Sequence, residues 1–76
     1  MQIKVYPNPA TEVLHISSPI MISASLMDVT GRILQMHTAS RELSFNTSEL
    51  ASGMYLLSLS DTNGKLLRVE KINKID

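Results

Sequence analysis

The 76-residue chain has no cysteine and no tryptophan, and its single phenylalanine is Phe45. Without cysteine, neither a disulfide nor a thiolate metal site can staple a domain this small. A short chain also buries a smaller share of its surface than a typical domain. Stability must therefore come from packing Ile, Leu, Val and Met. Aromatic rings are too few for a sugar-binding platform, since Tyr6, Phe45 and Tyr55 are the whole supply. Charge of one sign is lacking too. Seven basic and seven acidic residues cancel, whereas a nucleic-acid binder carries a basic excess or stripe. No apolar run approaches the ~20 residues of a membrane-spanning helix; the longest, Ile20 to Met27, is interrupted by Ser23 and Ser25. Strand-like sequence begins at once after Gln2, so no leader peptide is expected ahead of it.

The same scarcity argues against an enzyme. Three widely spaced glycines cannot form a phosphate-cradling loop. The two histidines, His15 and His37, fall on separate candidate strands, and a zinc site needs three or four ligands. Both read as outward-facing strand residues. No Gly-x-Ser-x-Gly elbow accompanies the many serines. A thin β-domain leaves little room for a pocket beside its core. No catalytic residue, metal ligand or cofactor is expected.

What the chain does have is short runs of β-branched and aliphatic residues separated by turn signals, the pattern of an all-β fold. Ile3 to Tyr6 forms a first strand, stopped by Pro7, which has no N–H to donate. Glu12 to Ser17 follows, then Met21 to Val29, with Ile22, Ala24 and Leu26 on one face. Asp28-Val29-Thr30-Gly31-Arg32 reads as a hairpin turn in which Gly31 supplies positive φ. Arg32 to His37 returns, Thr38-Ala39-Ser40 is loop, and Glu42 to Asn46 is a short strand. The Asn46-Thr47-Ser48 triplet fits a glycosylation sequon, but turn chemistry explains it better. A turn around Thr47 to Ser52 carries Leu50 inward. Gly53 to Ser60 is the most regular strand, with Tyr55, Leu57 and Leu59 on one face. Asp61-Thr62-Asn63-Gly64 marks a second hairpin, and Lys65 to Ile72 closes the chain. No internal repeat stands out. Residues 1–76 thus read as one domain, a small immunoglobulin-like antiparallel β-sandwich of six or seven strands. Its expected core is Leu14, Ile16, Ile22, Leu26, Leu34, Leu43, Phe45, Leu50, Tyr55, Leu57, Leu59, Leu67 and Val69.

Five segments in order carry a resemblance. They are Tyr6-Pro7-Asn8-Pro9-Ala10, Leu14-His15-Ile16, Asp28-Val29-Thr30-Gly31-Arg32, Leu50-Ala51-Ser52-Gly53-Met54-Tyr55 and Val69-Glu70-Lys71-Ile72. Each alone is weak; together, across nearly the whole chain, they resemble the C-terminal sorting domain of the type IX secretion system, in its type A, Por secretion system branch. One departure is the final Asp76, which follows what is in the family a basic and apolar tail. The motif residues carried over are Pro7, Asn8, Pro9, Gly31, Gly53, Tyr55 and Lys71. Each also has a plain folding role: the prolines stiffen the chain, the glycines ease turns, and Tyr55 packs its ring while its hydroxyl needs a partner.

The resemblance implies a non-catalytic address at the end of a larger secreted protein of a Gram-negative bacterium. It implies as partners a cargo protein on the N-terminal side, the translocon of the outer membrane, and a sortase that removes the domain and anchors the cargo at the cell surface. The implied route runs through the periplasm. Lys65, Arg68, Lys71 and Lys74 gather positive charge on the closing strand and are the candidate recognition residues; the plainer reading is a solvated edge. The competing functional reading is an accessory carbohydrate-binding or immunoglobulin-like spacer domain of a secreted enzyme.

Overall fold

A computed structural model describes residues 2–75; the Asp76 departure lies outside the described residues. Among these, five strands form: β1 (Lys4–Tyr6), β2 (Val13–Met27), β3 (Ile33–Asn46), β4 (Gly53–Asp61) and β5 (Leu66–Lys74). Every strand pairing is antiparallel. The hydrogen-bonded order is β1-β2-β4-β5, with β3 also paired to β2.

The expected six or seven strands become five because two pairs of segments fuse. The segments Glu12 to Ser17 and Met21 to Val29 merge into β2. Arg32 to His37 and Glu42 to Asn46 merge into β3, through the Thr38–Ser40 stretch read as loop. Pro19 bends the chain instead of ending it, because Ser18 turns inward and repairs the break locally. Its buried hydroxyl donates to the Ile20 carbonyl at 2.8 Å and accepts from the Ile20 N–H at 3.1 Å. The β2–β3 ladder shifts register between Ser17 and Ile22. On β3 the matching bend falls at Ala39, whose φ is +47°.

At these two bends the β2–β3 ribbon doubles back on itself. The Gln35 side-chain amide donates to the Asn46 carbonyl at 2.7 Å, and the His37 and Phe45 rings lie 4.9 Å apart. Both contacts join one half of β3 to the other. One layer therefore holds β1 with the halves 13–17 and 42–46. The second holds the halves 33–40 and 22–27, then β4 and β5. The core is trapped between them: Leu14, Ile16, Leu43 and Phe45 from the first layer, Ile22, Leu26, Leu57 and Leu59 from the second, all buried. His37 stays exposed, as expected, yet it reaches toward the core. It pairs with Ala24, whose side chain is buried, and turns its ring to Phe45. His15 does face outward, against Tyr6 at 5.5 Å.

Of the remaining expected core, Leu34, Leu50, Tyr55 and Leu67 are half-buried, and Val69 is 51% exposed. A bulge explains Val69. Leu59 pairs with Arg68 but Ser60 with Leu66, so Leu67 is inserted without a partner. An extra residue moves everything beyond it to the opposite face of a strand. From there on Arg68, Glu70, Ile72 and Lys74 share the inward face with Leu59, Leu57, Tyr55 and Gly53. Ile72 joins the core along with Ile3, Ala10 and Ala24. Arg68 and Glu70 are half-buried on that face and neutralise each other at 2.8 Å.

Two hairpin turns share one construction. Asp28 Oδ1 accepts from the N–H of Thr30 and of Arg32, both at 3.0 Å, while Gly31 donates to the Asp28 carbonyl. Asp61 Oδ1 accepts from the N–H of Asn63 and of Lys65, both at 2.9 Å, while Gly64 donates to the Asp61 carbonyl. Gly31 and Gly64 carry φ of +90° and +86°, the left-handed conformation such turns require. The short pattern, Asp, two residues, Gly, then a basic residue, is an echo too brief to stand out in the sequence. The Thr30 hydroxyl, first, then the N–H groups of Arg32 and Thr30 and the Arg32 guanidinium, hold the Asp28 carboxyl below the ordinary carboxylate range.

Two outcomes follow. Leu57→Ala is expected to destabilise by about 2–5 kcal/mol, the range for a packed leucine, and Val69→Ala by no more than about 0.5 kcal/mol; urea melts of both variants measure this. The Asp28 contribution is present above its unfolded-state pKa of about 3.9 and is lost as pH falls through the lower folded value. Asp28→Asn should therefore melt below the wild-type chain at neutral pH, and the gap should close under strong acid. A gap independent of pH would refute the assignment to the carboxylate.

Candidate functional site

The residues singled out from sequence do not cluster into a reaction centre. Among the described residues, no group of three or more metal-binding side chains comes together. His15 Nδ1 lies 3.1 Å from the Ser44 hydroxyl, but the nearby Glu42 carboxylate accepts instead from Ser17. An open depression beside them is lined by Glu12, Val13, Phe45 and Asn46 with Ser44 and Ser48. Two of its polar residues are spent on a turn: Asn46 Oδ1 accepts from both the N–H and the hydroxyl of Ser48. That bonding is the turn chemistry expected for the Asn46-Thr47-Ser48 triplet.

What does come together is four of the five motif segments, at one end of the sandwich. Because β2 doubles back, its first and last residues both lie at this end. Met27 pairs with Leu56, and Leu56 with Lys71. This places the Asp28–Arg32 turn beside the start of β4 and the close of β5. Gly53 pairs with Lys74, and Lys74 is bridged in parallel to Ala10. β1 begins at the opposite end, where Lys4 pairs with Ser17 beside the bend.

The link between the first motif and the last strand is made of four hydrogen bonds. The Asn8 side-chain amide donates to the Lys71 carbonyl at 3.1 Å, and its oxygen accepts from the Asn73 N–H at 3.1 Å. The Ala10 N–H donates to the Asn73 carbonyl at 2.7 Å, and the Ala10 carbonyl accepts from the Ile75 N–H at 2.9 Å. β5 is otherwise an edge strand whose outward groups need partners. Asn8 and Ala10 supply them, one with a side chain and one with its backbone. The flanking Pro7 and Pro9, both after cis peptide bonds, lack N–H groups of their own to satisfy. No reading of the sequence joins residue 8 to residue 71, because nothing local signals a contact across 63 positions.

The other motif residues act locally. The Tyr55 hydroxyl donates to the Ala51 carbonyl at 2.7 Å, so the tyrosine pins the loop that leads into its own strand. The same device recurs in immunoglobulin-like sandwiches. Gly53 takes a φ of +146°, and open space surrounds the place a side chain would fill. Backbone conformation, and not crowding, is what calls for glycine there. Thr47 is buried and its hydroxyl donates to the Thr11 carbonyl at 3.1 Å.

The four candidate cations divide. Lys65 and Lys71 are exposed. Arg68 is half-buried and paired with Glu70. Lys74 is only 5% exposed. Beyond the bulge the even-numbered positions of β5, from Arg68 on, face inward, so Lys74 is part of the packed end and not of a basic outer stripe. Lys71, on the outward face directly over the Asn8 bond, is the cation that combines exposure with a place in the motif cluster.

Comparison with known proteins agrees with the fold. No curated protein matches the chain. Among solved structures it is similar, with 25% identity and a TM-score of 0.81, to a protein described as PorZ, an essential bacterial surface component of the type IX secretion system of Porphyromonas gingivalis. The likeness covers 97% of this chain but 11% of that one, so the chain spans about a tenth of its length. The sequence matches the family described as the secretion system C-terminal sorting domain over residues 4–74. That span takes in all five strands and the clasp between Asn8 and β5, and the chain belongs to the secretion system C-terminal sorting domain family.

Proposed function

We propose that this domain is a non-catalytic address that directs an attached cargo protein through the type IX translocon of the outer membrane. The family match over residues 4–74 carries this reading. The fold supports it by geometry. A cargo joined ahead of Lys4 would enter beside the bend, at the end opposite the motif cluster, and leave that cluster open to a receptor. Export would take the domain through the periplasm to the cell surface, where a sortase would remove it and anchor the cargo. Recognition would fall on the motif end, where Lys71 offers an exposed positive charge. Lys65 lies at the far end of β5, after the second hairpin turn. It belongs to a different surface.

A periplasm-targeted fluorescent protein fused ahead of this chain tests the reading in a host that carries the secretion system. Surface delivery is expected with the unaltered domain, and retention in the periplasm would refute the sorting role. Lys71→Glu should leave the melt within about 0.5 kcal/mol of wild type, as exposed charges do, yet reduce delivery. Full delivery by the folded variant would remove Lys71 from the recognised surface. Lys74→Glu is not an equivalent test, because a buried position would lose folding along with function.

A further inference from the structure

We infer that the outer edge of β5, from Val69 to Asn73, is a strand-acceptor site closed by Asn8, and that its occupant is an extended peptide segment carrying an apolar residue against Val69 and a carboxylate against Lys71. The inference names the occupant of the motif end and rests on the reading of that end as the recognised one.

The hydrogen bonds of the clasp set the direction of the edge. Lys71 and Asn73 turn their backbone groups away from β4 and toward Asn8 and Ala10. Strand alternation turns the Val69 groups the same way. The two halves of the clasp differ in how firmly they hold. Ala10 is fully buried and bonds through its backbone on both sides. Asn8 is exposed and bonds through its side chain, between two prolines that are also exposed. An incoming strand can replace the Asn8 amide at the Lys71 carbonyl and the Asn73 N–H while Ala10 stays in place as the anchor. It gains the Val69 groups, which Asn8 does not cover. Backbone pairing along an open edge is a recurring mode of peptide recognition.

Side chains give the edge its chemistry. Val69 is 51% exposed and Lys71 is exposed on the same outward face. An apolar and an acidic residue two positions apart on the incoming strand, and so on one face of it, match them, since opposite charges across a strand pair attract and like charges repel. On the inward face, Arg68 and Glu70 already neutralise each other and offer a third strand little. Such inward charge discourages indiscriminate pairing. The edge is thus guarded on one face and selective on the other.

The test uses the whole chain and two synthetic probes, a short extended peptide with valine and glutamate two residues apart (Val-Thr-Glu) and a second with lysine in place of the glutamate. Asn8→Ala should bind the acidic probe about tenfold more tightly than the wild-type chain, because the competing occupant is gone, and should prefer it to the basic probe. Lys71→Glu in the Asn8→Ala background should reverse that preference. In the unaltered chain, saturating acidic probe should slow hydrogen exchange of the Val69 amide and leave that of Val29 unchanged. This measurement decides the matter even if Asn8→Ala fails to fold. Equal binding of the two probes, or an unchanged Val69 amide, overturns the inference. Dimerisation of Asn8→Ala without probe would overturn the assignment of the edge to a peptide and give it to a second copy of the chain. None of these readouts involves export. Failure here with intact delivery of a fused reporter would remove the acceptor edge and leave the sorting role, and the reverse pair of results would remove the sorting role alone.

Discussion

Fifteen residues of extended chain reach about 50 Å, yet the longest dimension of the molecule is 33 Å. β2 and its partner β3 therefore have to double back. That fold-back makes a sandwich from a chain too short to spend residues on separate strands and loops. One bent ribbon contributes to both layers, and the core lies between its halves. Ser18 makes the bend tolerable by bonding its own neighbour where Pro19 cannot donate. The cross-layer bond from Gln35 to Asn46 and the tilted contact of the His37 ring with Phe45 hold the halves in register.

The fold-back also brings both ends of β2 to the same end of the molecule, and with them the motif segments that are far apart in sequence. The Asn8–Ala10 clasp then joins the chain's early residues to its last strand. An exposed edge strand is a liability, and here the part of the edge nearest the chain's end is covered by a segment that arrives from the other layer. In the proposed reading, recognition and protection fall on the same few backbone groups. A surface that a partner reads must first be kept from pairing with everything else.

Much of this was legible in the sequence. Alternation fixed the inward faces of β2 and β4, and eight of the expected core residues are buried where the pattern puts them. The glycines at positions 31 and 64 mark their hairpins correctly, as does Asp61-Thr62-Asn63-Gly64 as a whole. The number of strands was not legible, because a proline inside an apolar run looks like a boundary. Nor was the face of Val69, because a one-residue bulge leaves no local signal and reverses every side chain after it. The same slip hid the burial of Ile72 and Lys74.

The sequence alone determined the fold class, the two hairpins, most of the core and the family resemblance, because each rests on short-range patterns of period two and on turn residues with fixed backbone demands. Only the tertiary structure decided which residues share the motif end. Asn8 and Lys71 are 63 positions apart, and a contact at that separation depends on how a bent ribbon closes. It also separated the four basic residues near the chain's last strand into an exposed Lys71, a distant Lys65, a neutralised Arg68 and a buried Lys74. Charge is a property of the residue, but its availability is set by the face on which the ladder places it.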